Sequence, residues 1–394
     1  MRTVTDAERR ARLGRRHHLA QSARIDDVGA LARDLVGLHS SDPATVFLAA
    51  DARARRPGAT IELVERALYD DRTVVRVLGM RRTMFVVPVD LVPVLKAGCT
   101  DALVAGERRK LVAALEAQGV TRDGARWLRR VEAATVAEIE RRGEATGAEL
   151  GRAVPGLDVK LRFGEGKTWQ ADVGVSTRAL FLLATEQRIV RGRPRGSWTS
   201  SQYRWAPMDA WLPGGPPSIP ASDARTALVR CYLASFGPAT TADVKWWTGW
   251  TMAHTRAALE AVEAVPVALD ETEGWVLPDD DATVRASRPW VALLPGLDPT
   301  TMGWQQRSWY LGDLAPRLFD RNGNAGPTVW VDGRVVGGWA QRRDGEVVHE
   351  LLVDVGAEAL DSVAAAGAAL QQRLGDVRVT PRFATPLQRE LAGR

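Results

Sequence analysis

The sequence predicts an α+β fold in which small helical units, each closed by a β-hairpin, precede a β-rich C-terminal domain. Three observations lead to this prediction. A helical motif occurs twice, at residues 143–150 and 237–244. Two β-rich runs follow the first helices, at residues 73–88, and short alternating strands with turn signals begin near residue 286. Apolar periods of about 3.6 and 2 residues distinguish helix from strand in these segments.

The repeated motif has the pattern G-x-A-T-x-A-acid-aliphatic, in GEATGAEL and again, 94 residues later, in GPATTADV. In each copy we expect the glycine to end one helix, the threonine to cap the next, and the acid to lie in its first turn, where the helix dipole favours negative charge. An apolar helix precedes each copy (131–139; 227–233), and a helix (176–187; 252–265) and a β-rich tail (188–207; 266–278) follow it. The repeat predicts tandem domains of one kind.

The N-terminal part of the chain shows the same order of elements. We predict helices at 25–38, 43–55 and 61–69, followed by a hairpin at 73–88. Helices followed by a two-stranded hairpin is the order of a winged helix, in which the hairpin is the wing. The sequence therefore predicts three tandem winged-helix domains, at residues 1–130, 131–220 and 221–285, and PGGPPSIP at 213–220 marks the second boundary.

Residues 286–394 are predicted to form a small β-barrel or sheet domain. Its strands alternate in the strand period, and Asp332-Gly333 and Asp344-Gly345 are typical of hairpin turns. One helix, at 357–374, interrupts the strands, and VRVTPRF at 377–383 is predicted to be a further strand.

Composition limits the classes of function. The chain has 394 residues, of which 45% are hydrophobic and 26% are charged, and it contains no apolar run long enough to span a bilayer. Its first residues lack the apolar region of a secretory signal, so we expect a cytoplasmic protein. We also expect a monomer that is associated with the nucleoid. Cys99 and Cys231 lie far apart, and we expect free thiols. No nucleotide-binding, metal-binding or serine-hydrolase motif is found, so no cofactor or metal is expected.

The net charge of +5 and the pI near 9.5 permit nucleic-acid binding without requiring it. Tandem winged helices usually bind double-stranded DNA. We predict that the β-rich tail of the second domain forms a hairpin at 188–205, and this second hairpin mixes arginines with aromatic rings that can stack. An alternative is a surface hairpin whose aromatic residues cover a domain edge. The candidate DNA contacts are Arg188, Arg191, Arg193, Arg195, Trp198, Tyr203 and Arg204, with Arg81 and Arg82 from the first hairpin.

Other residues also admit two interpretations. The basic segment 9–18 is either a solvated helix or an arm that contacts phosphates. Asp298 and Arg307 are polar residues in strand-end loops, and for Asp298 a turn-capping role is as well supported as a functional one. Three tryptophans at helical spacing are interpreted as core residues rather than ligand contacts: Trp246, Trp247 and Trp250.

A polar corner between two apolar helical segments contains the candidate catalytic residues. In LVGLHSSDPATVFLA, His39, Ser40 and Ser41 precede Asp42-Pro43, which is typical of a helix start because the carboxylate can cap free amides and proline suits the first turn. The positive end of the helix dipole favours anions at this corner. The alternative is purely structural: a satisfied buried histidine and a capping aspartate.

Four segments together resemble the AlkZ-like winged-helix DNA glycosylases. They are LVGLHSSDP at 35–43, LGMRRTMFVVP at 78–88, LLPGLDP at 293–299 and VDGRVVGGW at 331–339, in the same order and through most of the chain. The resemblance implies tandem winged helices and a C-terminal β domain around a DNA channel. It also implies a monofunctional glycosylase that excises alkylated purines with water as the nucleophile and needs neither metal nor organic cofactor.

The corner departs from the family's catalytic motif, which is Gln, an aliphatic residue, then Gln or Asp. Here these positions are His39, Ser40 and Ser41. The resemblance implies that His39 orients or deprotonates the water, that Ser41 holds it, and that Asp42 supplies an anion that stabilises the developing cation. Since both amides are absent, the alternative is a non-catalytic DNA-binding protein, either a transcriptional regulator or a lesion sensor.

Overall fold

The computed structural model describes residues 1–164, 166, 170–280 and 282–393. It is a mixed α/β structure with several small antiparallel sheets. The helices are α1 Asp6–Arg16, α2 Val28–Asp34, α3 Pro43–Asp51, α4 Thr60–Glu65, α5 Val92–Leu95, α6 Asp101–Ala117, α7 Gly124–Arg142, α8 Gly147–Ala153, α9 Val175–Thr185, α10 Ala221–Phe236, α11 Thr241–Thr248, α12 Met252–Ala261, α13 Ser308–Leu311, α14 Ala315–Leu318, α15 Ala357–Leu374 and α16 Pro386–Gly393.

Within the described part of the chain, the strands form five sheets of two to four strands. They are β1 Leu38–His39, β2 Val74–Leu78, β3 Met84–Pro88, β4 Ala145–Thr146, β5 Lys160–Phe163, β6 Ala171–Gly174, β7 Ile189–Pro194, β8 Tyr203–Pro207, β9 Val265–Ala268, β10 Glu273–Val276, β11 Val291–Leu294, β12 Thr328–Val331, β13 Arg334–Gln341 and β14 Val347–Leu351.

The helix predicted at 25–38 is shorter in the structure, and the chain after it forms a strand of the first sheet. Helix α2 ends at Asp34, four residues before the predicted end, because Val36 and Gly37 adopt positive φ angles of 51° and 105°. A Cβ at Gly37 would lie 2.9 Å from the Val87 side chain, so the turn requires glycine. The chain then forms β1, which pairs with β3 in a sheet of order β1-β3-β2. The predicted hairpin at 73–88 is confirmed as β2 and β3.

Both copies of the repeated motif form capping boxes, as predicted. The Thr146 side chain accepts from the Glu149 amide, and the Glu149 carboxylate accepts from the Thr146 amide; Thr240 and Asp243 are paired in the same way. Gly143 and Gly237 follow the ends of α7 and α10. The β7–β8 and β9–β10 hairpins confirm the predicted β-rich tails, whereas the β5–β6 hairpin was not predicted.

The C-terminal domain contains an open four-stranded antiparallel sheet of order β11-β12-β13-β14 rather than a closed barrel. Both predicted Asp-Gly turns join neighbouring strands, and α15 spans 357–374 as predicted. The predicted strand at 377–383 is wrong: the segment is irregular because its backbone bonds to the Gln341 side chain instead of a strand.

Helix α1 corrects both interpretations of the basic N-terminal segment. Arg9 and Arg12 are buried, and Arg12 pairs with Glu8 and with Asp280, at 2.6 Å in the second case. Since Glu8 and Asp280 neutralise Arg12 and the Arg9 guanidinium lies over the Trp309 ring, the segment is neither a solvated helix nor a free phosphate-contacting arm.

Asp298 has a structural role. It forms a bidentate ion pair with Arg53, with N–O distances of 2.7 and 2.8 Å, and both side chains are fully buried. Arg53 also donates to the His17 and Ala49 carbonyl groups. The pair therefore joins the residues that follow α3 to the loop that follows β11. The thiols of Cys99 and Cys231 are free, as expected. None of the helices among the described residues is long and apolar enough to cross a membrane.

Candidate active site and DNA interface

His39 lies in β1, where pairing with Phe85 of β3 fixes its position. The imidazole is 4% exposed and contacts the Phe85 ring edge-on, with 5.1 Å between ring centroids. Its Nδ1 accepts a long hydrogen bond of 3.4 Å from the Ser41 amide. A neutral ring whose Nδ1 accepts carries its proton on Nε2, so Nε2 is a hydrogen-bond donor.

Burial, and secondarily the positive charge of Arg81, lowers the pKa of His39 to about 3. The ring is therefore neutral at physiological pH. A histidine with so low a pKa is a poor general base, although it remains able to donate a hydrogen bond.

The two serines of the corner have different surroundings. Ser40 is buried, and its Oγ accepts from Arg76 Nε at 2.6 Å, while its amide donates to the Met84 carbonyl group. Ser41 is half-buried, and its Oγ accepts only a long bond of 3.5 Å, from the Met84 amide. Of the two hydroxyl groups, that of Ser41 is the more available for a substrate or a water molecule.

Asp42 caps α3, as predicted. Its Oδ1 accepts from the Ala44 amide at 3.1 Å, and its Oδ2 accepts from the Arg382 amide at 2.8 Å. Burial raises the pKa of this carboxyl group, against the effect of the two backbone hydrogen bonds and the charge of Arg382. The capping role and an electrostatic role are thus compatible, because each oxygen retains a lone pair.

Two residues next to the corner were not identified from the sequence. Arg76 of β2 is buried and donates to Ser40 Oγ and to the Tyr69 hydroxyl. Arg382, 340 residues after Asp42, donates through Nη1 to the Ser41 carbonyl group at 3.2 Å. Arg76 reads as an ordinary strand residue, and the contact of Arg382 arises only from the tertiary fold, so neither gave a sequence signal.

Arg81 lies in the turn between β2 and β3 with a φ angle of 51°. Its guanidinium stacks on the Trp246 ring at 3.9 Å, and Arg307 lies over the same ring at 5.1 Å. Burial, followed by the charge of Arg307, lowers the pKa of Arg81 to about 10. Arg82, by contrast, forms an ion pair with Glu107 at 2.9 Å. Trp246 therefore holds two cations, whereas Trp247 belongs to the core as predicted.

The residues of the second hairpin divide into three groups. Arg193 is paired with Glu65 and Asp70, and Arg204 is paired with Glu144. Trp198 is buried against Phe47, with 5.1 Å between ring centroids, so its ring is covered in this structure. The remaining candidates have no carboxylate partner among the described residues and lie in or next to β7 and β8: Arg188, Arg191, Arg195 and Tyr203.

A buried polar corner beside the unpaired arginines Arg81 and Arg382, on a scaffold of small helical units and hairpins, has the features of a surface that can bind nucleic acid. Among the described residues, no group of three His, Cys, Asp or Glu side chains is arranged to hold a metal ion.

Comparison with known proteins identifies the family. The family model for AlkZ-like DNA glycosylases matches residues 32–373, and the chain belongs to this family. The family and the DNA glycosylase function predicted from the sequence are thereby confirmed.

The fold is similar to that of the Streptomyces sahachiroi DNA glycosylase AlkZ, with a TM-score of 0.73 and 18% sequence identity. The similarity covers 97% of this chain and 100% of that one. At this identity the similarity establishes the fold alone. A search of curated proteins found no match.

Proposed function

We propose that the protein is a monofunctional DNA glycosylase that excises N-alkylated purines from double-stranded DNA, with the corner at residues 39–42 as its active site. One observation carries the proposal: a neutral His39, a weakly hydrogen-bonded Ser41 hydroxyl group and the buried Asp42 carboxylate lie together beside arginines.

The reaction places modest demands on the enzyme. N7-alkylation makes the purine a cation, so the C1′–N9 bond breaks as its electron pair neutralises the departing base, leaving an oxocarbenium-like sugar. Water then forms a bond to C1′ and loses one proton. The enzyme needs to hold this water and to stabilise positive charge on the sugar.

Each residue of the corner suits one of these tasks. His39 is neutral, and its Nε2–H donates to the oxygen of the water, which orients a lone pair toward C1′. The low pKa makes this orienting role better supported than deprotonation by the imidazole. Ser41 Oγ holds the water from a second side. Asp42 supplies the negative charge opposite the sugar and accepts the proton that the water loses.

We further propose that the arginine side chains bind the DNA backbone. Arg81 supports this role because it has no carboxylate contact among the described residues and is held by Trp246. Arg193 and Arg204 would first have to exchange their carboxylate partners for phosphates. The proposed set of contacts is Arg81, Arg82, Arg188, Arg191, Arg193, Arg195, Tyr203 and Arg204.

The proposal includes the arrangement of domains. The three predicted winged-helix domains, at 1–130, 131–220 and 221–285, each contain helices followed by an antiparallel hairpin, which supports one kind of unit repeated in tandem. With the domain at 286–394 they would surround duplex DNA, including alkylated or crosslinked DNA. The protein would act as a nucleoid-associated cytoplasmic monomer.

A non-catalytic DNA-binding protein is the second candidate. It is favoured by one observation: Ser40 and Asp42 already make hydrogen bonds that account for them structurally. A regulator should prefer one undamaged sequence over random DNA by about a thousandfold or more, whereas a repair enzyme should not.

The test is release of base from duplex DNA that contains N7-methylguanine or a bulkier N7 adduct, compared with a protein-free control. Release faster than spontaneous depurination, with no strong preference among intact sequences, supports the glycosylase. Release at the control rate for all adducts, with tight binding to one intact sequence, would overturn the proposal in favour of the regulator.

A further inference from the structure

The C-terminal segment at residues 376–385 extends from the end of α15 to the catalytic corner. Its first part is fixed to the C-terminal sheet: the Val379 amide donates to Gln341 Oε1 at 2.8 Å, and Gln341 Nε2 donates to the Val377 carbonyl group at 3.0 Å. The family model ends at residue 373, so this segment lies outside the matched range. Its contribution to the corner is therefore a feature read from this chain's own structure.

Arg382 joins this segment to the corner through two hydrogen bonds. Its amide donates to Asp42 Oδ2 at 2.8 Å, and its Nη1 donates to the Ser41 carbonyl group at 3.2 Å. The Arg382 residue is nevertheless exposed, so its guanidinium retains free donors that face solvent. The backbone bond positions Asp42, and the side chain adds a positive charge next to the candidate nucleophile site.

Arg191 and Arg76 bring two more cations to the same place. Their guanidiniums lie over the Tyr203 ring at 5.5 and 4.6 Å. Burial lowers the pKa of Arg191, and the nearby charges of Arg76 and Arg382 lower it further. Among the described residues, neither Arg191 nor Arg382 has a carboxylate within hydrogen-bonding or ion-pairing distance of its guanidinium.

The charges at this position are thus unbalanced. Three guanidiniums lie at or near the corner: that of Arg382 next to Asp42, that of Arg76 bonded to Ser40 and Tyr69, and that of Arg191 over the Tyr203 ring. Like charges held close together without a counterion repel each other, and a bound anion removes that repulsion. A phosphodiester carries one negative charge and two free oxygens, which match the paired N–H groups of guanidiniums.

We propose that Arg382 and Arg191 form a binding site for one phosphodiester group of the strand that carries the lesion, immediately beside the corner at 39–42. This inference rests on the proposed function, because it specifies which part of that substrate the surface binds. The bound phosphodiester would fix the sugar of the target nucleotide next to Asp42 and Ser41. Arg382 thereby couples DNA binding to the position of the Asp42 carboxylate.

The test combines protein variants with neutral phosphates. Duplexes carry a stable tetrahydrofuran abasic analogue, and methylphosphonate replaces each phosphate within two nucleotides of it, one at a time. Affinity is measured for the wild type, Arg382→Ala, Arg191→Ala and the double variant. Arg343→Ala is the matched control, since Arg343 is an exposed arginine of the same domain in the β13–β14 turn. Arg382→Lys tests whether charge alone suffices.

At one phosphate position, methylphosphonate should weaken binding by the wild type about tenfold to a hundredfold, the range expected for a charge-assisted hydrogen bond. In the double variant, methylphosphonate at that position should not weaken DNA binding, because the arginines that bind this phosphate are absent. Arg343→Ala should behave as the wild type. Equal losses in the wild type and the double variant at every position would overturn the inference. Unfolding midpoints within error of wild type show that the variants fold.

These binding measurements do not require catalysis. The glycosylase proposal and the phosphodiester-site proposal can therefore be refuted independently of each other. If the phosphate effect is found but no damaged base is released, the glycosylase proposal is wrong and the binding site stands. If base is released but every phosphate effect persists in the double variant, the phosphodiester site is wrong and the glycosylase proposal stands.

Discussion

Lowering the pH from 7 to 5 is expected to destabilise the protein partly through His39. In the folded protein burial lowers the pKa of this ring to about 3, against 6.5 in an exposed histidine. Between these values the unfolded chain binds a proton that the folded chain does not. The stabilising contribution of the neutral ring is therefore complete above about pH 6.5 and is lost as the pH falls toward 3.

These two pKa values give the magnitude of the effect. A folded pKa of about 3 and an unfolded value of 6.5 reduce the free energy of unfolding by about 2 kcal/mol between pH 7 and pH 5. Asp42 contributes with the opposite sign, because burial raises its pKa and the folded state then binds the extra proton. His17, whose pKa burial also lowers, contributes with the same sign as His39.

The comparison that isolates His39 is with His39→Gln, which restores the residue of the family motif and cannot titrate. Urea denaturation of both proteins at pH 7 and pH 5 measures the difference, and the contributions of Asp42 and His17 cancel because both proteins contain them. The wild type should lose about 2 kcal/mol more than the variant. Equal losses would mean that His39 titrates as an exposed histidine, which would refute the burial that lowers its pKa.

Other consequences can be measured directly. Asp298→Asn should destabilise the protein by about 3–5 kcal/mol, since it leaves Arg53 buried without a counterion; a loss below 1 kcal/mol in thermal unfolding would contradict the structural role. Arg191→Ala should reduce the salt dependence of DNA binding by about one phosphate contact, whereas Arg193→Ala should reduce it by less, because Arg193 must first leave the acids with which it is paired. Equal slopes for the two variants would refute that distinction. Gly37→Ala should lower the unfolding temperature, since its Cβ would lie 2.9 Å from Val87 at a φ of 105°; an unchanged temperature would show that the turn can relax.

The parts of the fold that the sequence predicted are those determined by local chemistry. Capping residues form bonds within three positions of themselves, so Thr146 and Thr240 marked helix starts correctly. The Asp-Gly pair at Asp332-Gly333 predicted its turn because Asp332 and Gly333 adopt positive φ angles that few other residue pairs accept. The helix start at Asp42-Pro43 was predicted because the Asp42 carboxylate caps the Ala44 amide and Pro43 suits the first turn.

The parts that were missed depend on distant contacts. Apolar periodicity continued past Asp34, whereas α2 ends there because Val36 and Gly37 adopt positive φ angles, at a position where a Cβ on Gly37 would lie 2.9 Å from the Val87 side chain of another element. VRVTPRF has the composition of a strand, but Gln341 occupies its backbone groups. Arg382 reaches Asp42 across 340 residues, and no local pattern indicates such a contact.

Trp198 and Arg193 show the same limit for the candidate DNA interface. An arginine-rich hairpin with aromatic residues indicates nucleic-acid binding as a composition, but neighbours decide which side chains are free. Phe47 covers Trp198, and Glu65 and Asp70 neutralise Arg193. The sequence identified the hairpin, and the structure separated its paired side chains from its unpaired ones.

The most direct test of the account is the single-turnover rate of N7-methylguanine release by the wild type, His39→Ala and His254→Ala. His254 is an exposed histidine at the start of α12 and serves as the matched control. Loss of a group that orients the nucleophile should slow release about a hundredfold in His39→Ala, with DNA affinity and the rate of the control unchanged. A wild-type rate in His39→Ala, or a wild-type rate no faster than spontaneous depurination, would contradict the assignment of the corner at 39–42 as the active site.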